Sequence, residues 1–264
     1  AILCMIVLLF LLTLSLIGGR KGVYSAVALI FTFVCIVFLF LPLIYRGVSP
    51  VWAAVLVAIL TTVVTMYLLG GISSKSVTAV VGTVLGVGIS GILAILFGKW
   101  THISGYNVAD IEQLTYVGQT TNIKIGELLY AGILISALGA VMDVAMSIAS
   151  TINEIHFRNP LLSARELFFS GIRVGKDMMG TMSNTLILAF TGTSINTLVF
   201  LYVYNYSTTQ IINMSSIGIE LIQGIASTMG VILTIPLVSL LSAWHLKRKE
   251  IKIFSKIFQR TGRR

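Results

Sequence analysis

An acidic residue lies inside an apolar stretch that is long enough to cross a lipid bilayer. The stretch covers residues 132–154 and holds Asp143 among Leu, Val, Ile and Ala side chains. At helical spacing, small and polar residues share one face of it: Gly132, Ser136, Gly139, Ala140, Asp143, Ser147 and Ser150. Because an ionised carboxylate facing lipid is costly, we expect Asp143 to face the interior of a helix bundle.

Two later apolar stretches carry polar faces of their own. Residues 178–203 place threonine and asparagine on one face, and residues 218–244 place serine and threonine on another. Counting the helical rise from the inner end of each stretch puts Asp143 and Asn184 at nearly the same depth. The pattern predicts a substrate or ion site made by Asp143 and Asn184 and lined by Ser147, Thr181, Ser227 and Thr234. The alternative is that Asp143 hydrogen-bonds Asn184 only to hold two helices together.

Motifs for enzyme or metal chemistry are poor. Residues 171–177 are similar to a phosphate-binding loop, but the spacing is one residue short and Asp177 stands where Ser or Thr is needed. The histidines are isolated and have no zinc-ligand spacing, and Cys4 and Cys35 lie in separate apolar runs. We therefore expect no enzymatic activity, no catalytic residue, no metal and no cofactor.

The composition is typical of a protein whose core forms within lipid. Of the 264 residues, 56 % are hydrophobic and only 10 % are charged, whereas a soluble domain is about a quarter charged. Apolar runs long enough to span a bilayer lie near residues 1–18, 23–45, 51–71, 77–98, 128–150, 178–203 and 218–244. We predict an all-α, polytopic transmembrane helical bundle of about seven spans within residues 1–244.

Lys and Arg are distributed unevenly over the connections between these runs. If the C-terminus is inside, fifteen of the 18 Lys and Arg residues are inside too. Cytoplasmic connections carry such an excess, so we expect a cytoplasmic C-terminus and an external N-terminus. Residues 245–264 then form a basic cytoplasmic tail that lies on anionic lipid, and we expect no nucleic-acid partner. Because the chain begins with Ala1, we also expect it to begin inside a longer one.

The cytoplasmic connection at residues 151–177 contains a helix-start signal. Ser163 and Glu166 are spaced as a capping box, which predicts one short amphipathic helix over about residues 163–173. Leu167, Phe168 and Ile172 lie on one side of it. Either the helix lies under the membrane, or these three residues dock a cytoplasmic partner such as an ATPase.

The fourth run has small residues at four-residue spacing, at Gly82, Gly86 and Ser90. Small residues let helix backbones approach closely in lipid, where apolar burial provides little driving force. We expect a close helix contact here, and a pore-lining role is the alternative.

Two segments resemble a known family. They are SALGAVMDVAMSIASTINEI, which contains Asp143, and SGIRVGKDMMGTMSNTLILAF, which contains Asp177 and Asn184. Both are similar to the core of the YibE/F-like family of bacterial multi-span membrane proteins, as are GGRKG near the start and the Gly-rich fourth run. The resemblance implies a multi-pass protein of the bacterial cytoplasmic membrane, often with an extracytoplasmic region before these spans. It implies transport only loosely and assigns no chemistry to the three motif residues.

Taken together, these patterns favour a membrane transporter or permease subunit. The expected partners are membrane lipids, a paralogous membrane subunit or a second copy of the chain, and a cytoplasmic ATPase. One alternative is a permease-like subunit driven by that ATPase through residues 163–173. Another is a non-transporting scaffold or signalling protein in which Asp143 is only structural.

Overall fold

The computed structural model describes residues 2–107 and 111–261, with the side chains of residues 3, 4, 111 and 249–261 left out. Every regular element in those ranges is helical. The α-helices are α1 (Ile2–Cys35), α2 (Leu41–Tyr45), α3 (Pro50–Gly70), α4 (Ser74–Thr101), α5 (Ile111–Thr120), α6 (Leu128–Arg158), α7 (Ala164–Thr193), α8 (Ile195–Val203), α9 (Thr208–Ile212) and α10 (Ser215–Thr261). A π-helical turn (Ile36–Phe40) joins α1 to α2, and short 3-10 turns lie at Gly105–Asn107 and Ile125–Glu127.

Several of these helices are long and apolar enough to cross a membrane, as the composition predicts. Five stretches qualify: Met5–Tyr45, Pro50–Gly70, Ser74–Thr101, Ile125–Arg158 and Ser215–Arg248. A sixth is the bent pair α7 and α8, whose axes differ by 60°. The all-helical membrane fold is therefore confirmed, and the predicted count of seven spans is not.

The first two predicted spans belong to one helical stretch that is broken at a glycine. Gly19 has φ 53° and ψ −136°, a backbone conformation outside the helical region that glycine adopts without a Cβ penalty. Beyond Gly19 the chain turns back, so that Gly22 lies in close contact with the main chain of Leu14 and Ser15. In a straight helix, residues eight apart are separated by about 12 Å. Gly19 therefore divides α1 into two arms.

The core of the bundle forms where α4, α6 and α10 pack together, with α3 and α7 on its flanks. Glycines allow the close approach of these helices. A Cβ built on Gly86 would overlap the hydroxyl of Thr234 and lie 2.8 Å from Val141 Cγ1, and one on Gly230 would lie 2.7 Å from Ser90 Cβ. The close helix contact that we predicted for the fourth run is confirmed.

Polar groups inside this core bond to neighbouring helices. Ser90 Oγ donates to the carbonyl of Ala226 at 3.0 Å, and the hydroxyls of Ser242 and Thr78 are 3.2 Å apart. Two of these polar residues are on α4 and the contacts cross to α10, so hydrogen bonds reinforce the packing of that pair.

The capping box at the start of α7 is present, but the helix after it is not short. Ser163 Oγ accepts from the N–H of Glu166, and the Glu166 carboxylate accepts from the N–H of Ser163 at 2.8 Å. The helix then continues without a break to Thr193. The prediction of a separate, short amphipathic helix at residues 163–173 is therefore wrong. The helix does not end at Arg173, and these residues form the first third of α7. The connection from α6 to α7 is correspondingly short, since α6 ends at Arg158.

Candidate functional site

Asp143 lies on the side of α6 that faces away from the bundle. Val141, Val144 and Ile148 on the opposite side are fully buried, whereas Asp143 is exposed, as are Gly132 and Gly139. The expectation that Asp143 faces inward is therefore wrong for this chain. The physical reason is that the apolar face of α6 is the one that packs in the core, which leaves Gly132, Gly139 and Asp143 outside.

Asn184 and Thr181 lie on the corresponding outer side of α7. Both are exposed, and α7 instead buries Leu167, Gly171 and Gly175. The backbones approach closely at Gly175, where an added Cβ would lie 3.1 Å from Ile235 Cβ on α10. Two neighbouring helices thus both present their polar residues outward.

The contact between α6 and α7 gives the relative depth of the two groups. A Cβ on Gly171 would lie 2.6 Å from Ile152 Cδ1, so these two residues are level. Counting from that contact along the antiparallel helices puts Asp143 level with Gly180 and leaves Asn184 about one turn, or roughly 6 Å, further along. Because Cβ atoms tilt toward the N-terminus of their own helix, the two side chains lean toward each other and the difference shrinks.

Neither polar group has a hydrogen-bond partner among the described residues. Among the described residues, the side chains of Asp143 and Asn184 make no hydrogen bond and no ion pair, whereas the Thr181 hydroxyl donates to the carbonyl of Met178 at 2.9 Å. A carboxylate and an amide at membrane depth thus have donors and acceptors available for something outside the chain. Ser147 is half-buried on the same side of α6 as Asp143.

The other two predicted lining residues lie elsewhere. Ser227 and Thr234 are fully buried on α10. Thr234 packs against Gly86 of α4, and its hydroxyl donates to the carbonyl of Gly230 at 2.7 Å. The six predicted site residues are therefore divided between an outward polar face on α6 and α7 and a buried contact between α4 and α10.

The residues expected to dock a cytoplasmic partner belong largely to the interior. Leu167 is fully buried in the main hydrophobic core, and Phe168 and Ile172 are half-buried against it. Leu167 is consequently not accessible to a partner, and its assignment to a docking surface is wrong. The cause is the length of α7: its first turns pack inside the bundle.

Sequence reasoning missed the break between α7 and α8. Ser194 interrupts the helix there, and its buried hydroxyl has no hydrogen-bond partner among the described residues. A cavity of about 200 Å³ lies beside it, lined mainly by apolar side chains together with Thr191 and Glu220. A larger cavity of about 490 Å³ lies where the end of α4 meets the start of α10, beside His102 and Asn107. The run Gly192-Thr193-Ser194, which contains poor helix formers, was the available signal for the break.

Within the described ranges, no three His, Cys, Asp or Glu side chains come together as a metal site requires. The family described as YibE/F-like protein matches residues 6–248, nearly the whole chain. No curated protein matched, and no solved structure matched.

Proposed function

The chain belongs to the YibE/F-like family, and from that premise and the position of Asp143 we propose that it is a membrane transporter or permease subunit. Asp143, Asn184 and Thr181 form its substrate or ion site on the outward face of α6 and α7. The observation that carries the proposal is an exposed carboxylate at membrane depth with no partner in the described chain. Ionisable groups are rare in that position and mark substrate, ion or proton paths.

The chemistry of the site suits a proton or a small cation. The carboxylate of Asp143 can bind a cation or exchange a proton, and the amide of Asn184 and the hydroxyl of Thr181 offer neutral oxygens nearby. Ser147 and Gly139 flank the acid on its own helix with small side chains, which leaves room for a bound ion. The scaffold alternative instead assigns the same groups to helix contacts alone.

We propose seven crossings for this protein in a bacterial plasma membrane, with the C-terminus cytoplasmic. The turn at Gly19 supports two crossings within Met5–Tyr45, and the bent pair of α7 and α8 supplies one more. The excess of Lys and Arg on the side of the C-terminus supports the orientation. Membrane lipids cover the apolar outer surface.

Cysteine labelling tests this topology. In a variant without Cys4 and Cys35, we expect Tyr206→Cys to react with an impermeant maleimide in intact cells, because residue 206 lies in the external connection after α8. We expect Leu161→Cys, which is 95 % exposed in the connection between α6 and α7, to react only after the cells are opened. The reverse labelling pattern would contradict the orientation.

Replacing the acid tests transport. We expect Asp143→Asn to insert and fold normally, because the amide is nearly isosteric and the Asp143 side chain makes no hydrogen bond to the part of the chain that the structure describes. In proteoliposomes loaded with a pH-sensitive dye, the wild-type protein should support proton or cation-coupled flux, and Asp143→Asn should lose it, since a neutral amide neither carries a proton nor balances a cation.

Glu154→Gln is the matched control. Glu154 is on the same helix and exposed, but it lies near the helix end and pairs with Arg158 at 2.8 Å. Its replacement should leave the flux unchanged. Equal flux in Asp143→Asn and the wild type would refute the transport role of Asp143 and favour the scaffold alternative.

A further inference from the structure

We propose that a second copy of this chain covers the outward polar face of α6 and α7, so that the protein is a dimer with that face at its centre. The face consists of Gly132, Gly139 and Asp143 on α6 and of Gly180, Thr181 and Asn184 on α7. All six residues are exposed in the single chain. The inference does not depend on transport, because it follows from packing and solvation alone.

The glycines of this face are not needed for close packing among the described residues. In the core, a Cβ on Gly91 would meet Leu134 and one on Gly175 would meet Ile235. By contrast, a Cβ on Gly132, Gly139 or Gly180 would meet nothing within 4 Å. Glycine inside a helix costs up to about 1 kcal/mol relative to alanine. Glycines that face outward from membrane helices are explained if another helix approaches there, as happens at small residues in lipid.

The polar groups lead to the same conclusion. Asp143 and Asn184 lie on the outer surface between apolar residues, where lipid chains offer no hydrogen bonds. A charged or amide side chain left against hydrocarbon is costly. A protein surface that supplies donors and acceptors at this depth removes that cost, whereas lipid does not.

A second copy fits the face because the face complements itself. Two chains in the same membrane orientation, related by a two-fold axis along the membrane normal, keep every residue at its own depth. The Asp143 carboxylate of one copy then meets the Gly180, Thr181 and Asn184 side of the other, and the reverse contact forms at the same time. Acceptor and donor are matched, and the open glycines of both helices allow the backbones to approach.

Disulfide cross-linking in membranes tests the arrangement. Two copies with different tags are expressed together without Cys4 and Cys35, one carrying Gly139→Cys and the other Asn184→Cys, because the count that sets Asp143 level with Gly180 sets Gly139 level with Asn184. After oxidation we expect a denaturing gel to show a species with the mass of two chains, and this species should carry both tags. The control is Leu85→Cys on both copies. Leu85 is 44 % exposed on α4 and lies at a similar depth, because its neighbour Gly86 packs against Val141 of α6. The Leu85→Cys protein should form no disulfide and should run at the mass of a single chain on a denaturing gel.

A second measurement keeps the proposal testable if the disulfide geometry is poor. Gly139→Leu adds bulk where the single chain has open space, so it should fold and elute as a single species. We expect it to abolish co-purification of two differently tagged copies, whereas Leu85→Ala should not affect it. The proposal would be overturned if the two tagged copies still co-purify with Gly139→Leu. It would also be overturned if Gly139→Cys cross-links no more than Leu85→Cys does, or cross-links only to another protein.

The two proposals can fail separately. Asp143→Asn should leave the copies associated, because an amide still donates and accepts hydrogen bonds at that position. Loss of flux with retained association would support the site, and association in a protein without any flux would support the dimer alone.

Discussion

Replacing Gly86 by alanine should destabilise the protein by about 1–3 kcal/mol, the usual cost of adding a methyl group to a well-packed contact. The added methyl would overlap the Thr234 hydroxyl of α10 and crowd Val141 of α6, so α4 would have to move away from both helices. Gly86→Leu should prevent the bundle from assembling. The measurement is the apparent melting temperature in detergent, followed by the fraction of protein that elutes as a single species.

Gly88→Ala provides the comparison. Gly88 lies two residues further along α4, and a Cβ there meets nothing within 4 Å. The same chemical change should therefore be neutral or raise stability by up to about 1 kcal/mol through helix propensity. If both variants melt alike, the close contact among α4, α6 and α10 is not what limits stability.

Truncating Leu167 should have an effect of similar size. Leu167 is fully buried in the core near the start of α7, and Leu-to-Ala changes at buried sites cost about 2–5 kcal/mol. A loss of melting temperature in purified Leu167→Ala protein, with no partner present, would show that this residue stabilises the bundle itself.

Phe169→Ala is the control for that experiment. Phe169 is two residues away but 50 % exposed. Its ring lies under the guanidinium of Arg165 at 5.7 Å, a contact worth about 0.5–1 kcal/mol at an exposed site. We expect a small shift for Phe169→Ala. A larger loss of melting temperature from Phe169→Ala than from Leu167→Ala would contradict the burial described for the two residues.

Much of the fold was predictable because its causes are local. Apolar length predicted the spanning helices, the Ser163–Glu166 spacing predicted a helix start, and the small residues of α4 predicted a close contact. Each of these depends on residues close together in sequence. The length of the helix after Ser163 was not predicted, because no Pro or other stop signal follows Arg173 directly and the helix continues to Thr193.

The direction in which Asp143 faces could not be predicted from one chain. Periodicity shows that the small and polar residues of α6 share a face, but it does not show whether that face meets the same chain or another. The inward assignment assumed that every polar face of a bundle is covered from within. The open space beside Gly139 and the exposure of Asp143 show that this assumption fails here.

The turn at Gly19 has a consequence for how the protein enters the membrane. Arg20 and Lys21 follow the turn directly, and the arms on either side are apolar. Such a pair can insert as one unit, with its tip retained by two positive charges and both ends on the opposite side. An inserted pair leaves the sidedness of everything downstream unchanged. Among the described residues, the buried members of the main hydrophobic core begin at Cys35, so we expect the bundle from α3 onward to assemble without the arm that precedes Gly19.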